Sequence, residues 1–499
     1  MSSHLDSPAT ESAPDWLQLD PRTIAARTIL TTGALIAAAV PLAIGLLLGG
    51  VAIGWVLLWT IAGTALGVIA TATGEAIRLA VTRYRVDEHR ISQRVRFISS
   101  TTSSLSTWRV RNVEISADLV QRRLGIATVK LSSGETDGSR LTLAALDRRT
   151  AEELRARLLA DRAAAETSQI AQLDPRWVRY APASVMTPLF GLIAFGVVFQ
   201  VADWFNAVPA MLDWIWDLVG ELPLPVLVIG VMVAALVIGT LTSVVIFTEN
   251  WWNLRLDHHR DGSLEVRRGL LVGRHTTFDG SRIRGVSLHE PPGFRAVRAA
   301  RLDLVATGAG IGKDEDGRQK TSPALLPASP RGVSAGVAES VLGAPVPGPL
   351  RPHPPVARRR RLLRALAATV ALAAIAVVPA LVWPWLWWVP VAATAVSGAV
   401  AGVVALDNYR GLGNAVTEHA VAIRKGSLMR RTDVLTREGI LGWNVRRTPF
   451  QRRAGLVTLV ATSAGGSGAF RLPDVAASEA GELYSSAGDV WEHLATDRD

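Results

Sequence analysis

The sequence predicts a membrane α plus β protein: six transmembrane helices in three hairpins, each followed by a cytoplasmic antiparallel β-barrel or sandwich capped by a C-terminal helix. Three observations predict it. Apolar spans come in pairs: the charge-free runs Thr28 to Gly74 and Ala365 to Leu406 are each long enough for two, and a looser pair lies between them. The turns inside those pairs hold no Lys or Arg, whereas the segments between pairs are rich in Arg. One short phrase also recurs after each pair, YRVDEH at 84–89, LRLDHH at 254–259 and NAVTEH at 414–419, a spacing wide enough for a whole domain in each repeat.

Composition sets the class. Of 499 residues, 49% are hydrophobic, the mean hydropathy is +0.26 and the formal net charge is +10, which is too apolar for an ordinary soluble chain. Cysteine is absent, excluding disulfides, thiolate metal sites and a cysteine nucleophile. The positive charge is sorted by segment as in membrane proteins, and no basic stripe interleaves with aromatic residues, so no nucleic-acid partner is expected.

In chain order, residues 1–22 read as a polar, acidic N-terminal segment without the basic n-region of a cleavable signal peptide. Residues 23–74 form the first hairpin. At about 1.5 Å per helical residue its apolar run suits two crossings of a ~30 Å core, with a turn at Gly49-Gly50. The first domain follows at 75–165, then a linker at 166–182. The second hairpin, 183–248, has spans at about 183–202 and 224–247 joined by the acidic connection DWFNAVPAMLDWIWDLVGE at 203–221. The second domain, 249–343, contains IGKDEDGRQKTSPALLPASPRG at 311–332, read as a flexible insertion from its charge and proline. A Pro/Arg-rich linker at 344–361 leads to the third hairpin, 362–406, which turns at WPWLWWVP (383–390), where Trp and Pro suit a headgroup layer and a helix break. The third domain is 407–499. The positive-inside rule puts both termini and all three domains on the cytoplasmic side.

The repeat extends well beyond its opening phrase. QLDPR stands at 18–22 and 172–176, each time just before a hairpin. RVRNV (109–113) parallels RIRGV (282–286), QRRLG (121–125) parallels QRRAG (451–455), and LDLVATGAG (302–310) parallels VTLVATSAG (457–465). In the first domain RISQRVRFI (90–98), SLSTWRVRNVEI (104–115), IATVKLSSG (126–134) and SRLTLAAL (139–146) predict short strands. Thr150 and Glu153 then suggest a capping box, with Ala151, Leu154 and Leu158 as the buried stripe of a closing helix.

With Asp20-Pro21, Asp174-Pro175 and His353-Pro354 before the hairpins, the strand opening Tyr84, Val86 and Asp87, the RRGL turn (267–270) and the GLVTLVATSAGG strand (455–466), the chain resembles the membrane-flanked bacterial pleckstrin-homology (PH) domain proteins of the YdbT type. The resemblance covers nearly the whole chain. It implies a PH-like fold of seven antiparallel strands and a capping helix, a bacterial plasma-membrane location, and an association with resistance to envelope stress or antimicrobial peptides.

Catalytic chemistry finds no carrier. His89, His259 and His419 occupy matching positions, one per domain, without the spacing of a metal site. Asp87 and Asp257 are matched by Thr417, which cannot serve as a general base. No enzyme activity, metal or cofactor is expected. The basic pairs Arg267-Arg268, Arg424-Lys425 and Arg430-Arg431 are the candidate docking residues for phospholipid or another membrane protein, since anionic headgroups attract each such residue by about 1 kcal/mol near the surface. Arg358 to Arg361 read instead as charge flanking a span. The expected function is a membrane scaffold that binds lipid, another membrane protein or itself. The alternative, a transporter or its accessory, is weakened by span interiors without Asp, Glu, Lys, Arg or His.

Overall fold

The computed structural model describes residues 16–485 apart from 49, 88, 97–99, 108–109, 111, 133–139, 159–166, 206, 261 and 308–322. The chain opens with β1 (Leu17–Gln18), α1 (Arg22–Leu48), α2 (Ile53–Val81), β2 (Thr82–Val86), β3 (Arg90–Arg96), β4 (Ser100–Ser106), β5 (Asn112–Ala117), α3 (Leu119–Leu124), β6 (Ile126–Ser132), β7 (Arg140–Asp147) and α4 (Arg148–Leu158). Next come β8 (Thr167–Gln172), α5 (Thr187–Trp204), α6 (Val208–Val219), α7 (Leu224–Trp251), β9 (Arg255–His259), β10 (Leu264–Arg268), β11 (Gly273–Phe278), β12 (Ile283–His289), α8 (Pro292–Ala296), β13 (Ala299–Ala306), β14 (Ala324–Pro330) and α9 (Arg331–Leu342). The remainder is α10 (Pro355–Val382), α11 (Trp388–Arg410), β15 (Gly413–Val416), β16 (Ala420–Lys425), β17 (Arg431–Thr436), β18 (Gly442–Arg446), α12 (Pro449–Arg453), β19 (Leu456–Thr462), β20 (Ala469–Ala476) and α13 (Ala477–Ser485).

These elements divide into two compact units, Met1–Glu166 with Phe195–Leu227 and Arg267–Thr277, and Thr167–Ala194 with Val228–Val266 and Phe278–Asp499. In the first unit β1-β2-β3-β4 form one sheet, and β7-β6-β5 another that continues into β11. Its core joins Tyr84, Ile91, Val113, Val129, Leu143 and Leu154, with Leu19 from ahead of the first hairpin. Along β6, Val129 and Leu131 are buried and Lys130 is exposed, as a strand with one face on a core requires. In the second unit one sheet runs β14-β13-β12-β17-β16-β15 and a second β18-β19-β20. The junction inside the larger sheet is antiparallel, Gly285 facing Leu435 and His289 facing Arg431.

Among the described residues six helices are long and apolar enough to cross a membrane, with mean hydropathies from 1.4 to 2.5. Their apolar side chains face outward; Leu66, Leu241 and Val403 are more than 60% exposed. Glycine lets α5 and α7 touch at the backbone, because a Cβ on Gly191 would lie 1.9 Å from the Ala235 carbonyl oxygen and one on Gly239 2.1 Å from that of Thr187. The Thr187 and Ser243 hydroxyls hydrogen-bond at 2.8 Å beside that crossing.

The repeated phrases are turns and caps. Asp20 and Asp174 of QLDPR accept the N–H groups of Arg22 and Arg176 at 2.8 and 2.9 Å. The carbonyls of His89 and His419 accept from Thr107 and Arg437, both at 3.0 Å, so these histidines hold hairpins through their backbone. QRRLG and QRRAG are the ends of α3 and α12, each opened by a capping box, Asp118 with Gln121 and Thr448 with Gln451. A left-handed residue follows α3, α8 and α12: Gly125 (φ 73°), Arg298 (φ 53°) and Gly455 (φ 64°). Their carbonyls accept from the first N–H of α4, α9 and α13 at 2.8, 3.0 and 3.1 Å.

Several elements differ from expectation. Helix α4 begins at Arg148, where the Asp147 carboxylate accepts from the Arg149 N–H at 2.8 Å, so Thr150 is inside the helix and caps nothing. Stretch 104–115 is two strands, since β4 ends at Ser106 and β5 starts at Asn112. The connection at 203–221 contains helix α6, opened by Pro209 in its first turn. Of the insertion at 311–332, the part through 322, including DEDG, lies outside the described residues. Ala324 to Pro330 is a buried strand, and Pro327 is tolerated because β14 is a sheet edge whose outer N–H has no ladder partner to lose. Helix α10 starts at Pro355, so Arg358 to Arg361 are helical rather than linker.

Candidate anion-binding cleft

In the second unit an open cleft of about 540 Å³ is lined by Arg295, Arg298, Arg331, Arg424, Arg430 and Glu290, among others. Local structure delivers each side chain. Arg295 lies on α8, Arg298 holds the left-handed position after it, and Arg331 is the first residue of α9. Arg424 is on β16, and Arg430 just precedes β17. The β12–β17 ladder ends where the Glu290 N–H donates to the Arg430 carbonyl at 2.8 Å, fixing acid and base on one wall.

Asp407, near the end of α11, organises the floor. It accepts both terminal nitrogens of Arg295 at 2.8 and 2.9 Å, a bidentate fork, and Nη2 of Arg430 at 2.9 Å. The bond to Asp407 holds the Arg295 pKa above its ordinary value. Arg331 pairs with Glu290 at 2.8 Å. Burial lowers the pKa of Arg424, with Glu290 opposing and Arg331 adding to the shift. Burial likewise lowers Arg430, reinforced by Arg295. Buried Nε atoms of Arg295, Arg424 and Arg430 have no hydrogen-bond partner among the described residues. Five guanidinium groups surround one lining carboxylate, and three of them, Arg295, Arg424 and Arg430, are partly desolvated with an unpartnered Nε among the described residues, so an anion would complete the charge of the site. A left-handed backbone at a residue other than glycine costs on the order of 1 kcal/mol, and here it falls on a cleft residue, Arg298.

The candidate residues from sequence separate. Arg424 and Arg430 line the cleft. Lys425 and Arg431, their chain neighbours, instead face Asp433, a fully buried carboxylate: Lys425 Nζ lies 3.9 Å away, and Arg431 pairs with Asp433 while donating to Ser287 Oγ at 2.9 Å. Arg267 and Arg268 belong to the first unit, where Arg267 Nε donates to His275 at 3.2 Å. Three cleft residues, Arg295, Arg298 and Arg331, escaped the sequence reading. The signal for Arg295 was present: it holds the place of Arg122 and Arg452, each of the three accepting from the left-handed residue three positions on.

A second buried cluster lies beneath the third apolar pair. Asp474, 1% exposed, accepts from Arg360 and Arg361 of α10 and from Gln451 Nε2 at 3.0 Å. Next to it, burial and the nearby Arg361 push the His353 ring down to about 4, so it is neutral at physiological pH.

The family description Bacterial PH domain matches residues 32–162 and 361–489, just over half of the chain. The chain belongs to the bacterial PH domain family. The first PH match begins within α1 and runs past α4, and the second begins within α10 and runs past α13. No curated protein and no solved structure matches the chain.

Proposed function

We propose that this bacterial PH protein is a non-enzymatic integral membrane scaffold of the YdbT type, in which three hairpins each carry one PH-like barrel at the cytoplasmic face. The shared caps, left-handed closures and hairpin bonds favour three equivalent units, and the Arg-free turns favour the orientation. Residues 249–343 would then be a third PH-like unit, with β1 and β8 ahead of the first two hairpins serving as the seventh strands of their barrels and the isolated bridge of Arg351 with Asn414 standing in that place ahead of the third. Tethering keeps the domains concentrated at the inner leaflet, where weak contacts to lipid or a membrane partner become effective. A role in envelope stress or antimicrobial-peptide resistance is what the YdbT resemblance implies.

The observation that carries the binding part is the arginine cleft next to the end of α11. Its ligand is the phosphate of an anionic headgroup, met by planar guanidinium forks. The test is native mass spectrometry of the intact chain from nanodiscs mixing phosphatidylglycerol with phosphatidylcholine. Arg424→Gln with Arg430→Gln should reduce retained phosphatidylglycerol roughly thirtyfold, at about 1 kcal/mol per cation, and Arg267→Glu with Arg268→Glu should not. Orthophosphate that displaces the lipid would identify the phosphate as the recognised group. Retention unchanged in the Arg424/Arg430 variant would sink the assignment.

A further inference from the structure

Two sheet junctions use the same strands. In the first unit β11 adds to β5, and in the second β17 adds to β12. The bonds from Thr107 to His89 and from Arg437 to His419 put β4 and β17 in register as equivalents, and those closing the next turn, Val110 to Thr107 and Ile440 to Arg437, do the same for β5 and β18. Two strands of these types are left over. Among the described residues β4 has only β3 as a strand neighbour, and β18 only β19.

Other sheet edges are protected against further pairing. Strand β1 has two residues and β15 four, β14 and β20 contain proline, β7 has a charge at each end, and a bulge interrupts β8 between Gln169 and Ala171. Strand β4, STTSSLS, has neither charge nor proline over seven residues, and its first five are exposed. Strand β18, GWNVR, has no proline and exposes Asn444, Val445 and Arg446. A side chain repeats the pattern. Arg122 Nη2 donates to the carbonyls of Leu270 and Leu271, just before β11, and Arg295 Nη2 to that of Ser427, ahead of β17. Arg452, which holds the same place beside β18, is exposed and its guanidinium has no partner among the described residues.

We propose that β18 of one copy pairs antiparallel with β4 of a second copy, joining molecules head to tail by the junction that β12 and β17 make within the chain. This rests on the reading of three equivalent units held in one membrane plane. The register follows from the internal junction, in which Gly285 faces Leu435, Ser287 faces Asp433 and His289 faces Arg431. Carried across, Gly442 faces Leu105, Asn444 faces Ser103 and Arg446 faces Thr101. No like charges meet, and an amide lies opposite a hydroxyl. The two edges differ, so each added copy leaves one of each open and association continues until it closes on itself.

The chain has no cysteine, so cross-linking needs no background removal. Differently tagged full-length Thr101→Cys and Arg446→Cys proteins, co-expressed and oxidised in membranes, should give a disulfide-linked heterodimer. Ser106→Cys with Arg446→Cys, five residues out of register and so about 17 Å away along the strand, should not, because cysteines more than about 7 Å apart at Cα do not bridge. The single chain carrying both Thr101→Cys and Arg446→Cys should give multimers, and Arg452→Ala should reduce them. Absence of the heterodimer, an equal yield from the out-of-register pair, or a monomer closed by an internal disulfide would each overturn the proposal. His289→Cys with Arg431→Cys in one chain separates the two levels of failure. If that internal bridge forms while the heterodimer does not, the edge contact is wrong and the three-unit reading survives; if neither forms, both fall.

Discussion

Asp474→Asn gives the sharpest test of what holds the third apolar helix pair to the β structure that follows it. The native carboxylate is 1% exposed and faces Arg360 and Arg361, whose side chains are 13% and 10% exposed. Asp474 also has φ 62°, a conformation that asparagine tolerates as readily as aspartate, so the change removes charge and little else. Two unit charges ~4 Å apart interact by about 4 kcal/mol at an effective dielectric of 20. Desolvation offsets much of that while the pair is intact, but removing one partner leaves the arginines buried and uncompensated, which typically costs 3–5 kcal/mol. The asparagine can still accept one hydrogen bond, so a loss of roughly 3 kcal/mol is expected. Hydrogen exchange by mass spectrometry in nanodiscs reads this locally: amides of β19, β20 and α12 should exchange about a hundredfold faster, while those of β5 and β6 should not change. Adding Arg361→Gln should restore most of the protection by removing an unpaired charge. Unchanged exchange of β20 in Asp474→Asn would refute the reasoning, and so would a double variant weaker than the single.

His353 makes stability depend on pH. Its folded value of about 4 lies below the ~6.5 of an exposed histidine, so between those values the unfolded chain binds the additional proton. The contribution is intact above pH ~6.5 and is lost as pH falls toward 4, by up to roughly 3 kcal/mol. Denaturation of the wild type and of His353→Gln at pH 7 and 4.5 should differ in slope, and parallel behaviour would count against a buried neutral ring. At the α5–α7 crossing, Gly191→Val should cost about 1–3 kcal/mol by driving a methyl into the Ala235 carbonyl. Gly230→Val on the same α7, where a Cβ has open space, should be near neutral. Equal melting temperatures for those two variants would disprove the close approach.

Much of the fold was legible because its signals are local and periodic. Two charge-free runs of double span length and a looser pair of single-span runs around an acidic connection identified the six long apolar helices, and the recurring DPR, QRR and His phrases fall on caps and turns whose geometry depends on a few neighbouring atoms. The failures share a cause as well. Pro327 and the charges before it argued for a loop, yet an edge strand needs only one side of its backbone for pairing, and Leu325 and Leu326 are fully buried there. Thr150 and Glu153 matched a capping pattern, but Asp147 offered an oxygen one turn earlier, and the first satisfactory cap ends the competition for free N–H groups. In neither case does the chain's spelling reveal which partner is already in place.

The candidate site was half legible for a geometric reason. Adjacent residues on a strand point to opposite faces, so a basic dipeptide cannot be one patch. Arg424 and Lys425 on β16 must part, and they do, one to the cleft and the other to Asp433; Arg430 and Arg431 divide in the same way. Taking alternate residues from each pair, rather than pairs whole, would have given Arg424 and Arg430 together and left Lys425 and Arg431 to a buried counterion. The other half of the cleft arrives from α8 and α9, more than a hundred residues earlier in part, through the β12–β17 ladder. That ladder joins two stretches of the same chain by the kind of edge pairing that usually joins different molecules. A lining assembled across such a seam is written in neither stretch alone, and it exists only as long as the seam stays paired. Substitutions that open β12 from β17 should therefore abolish anion binding even though every arginine remains.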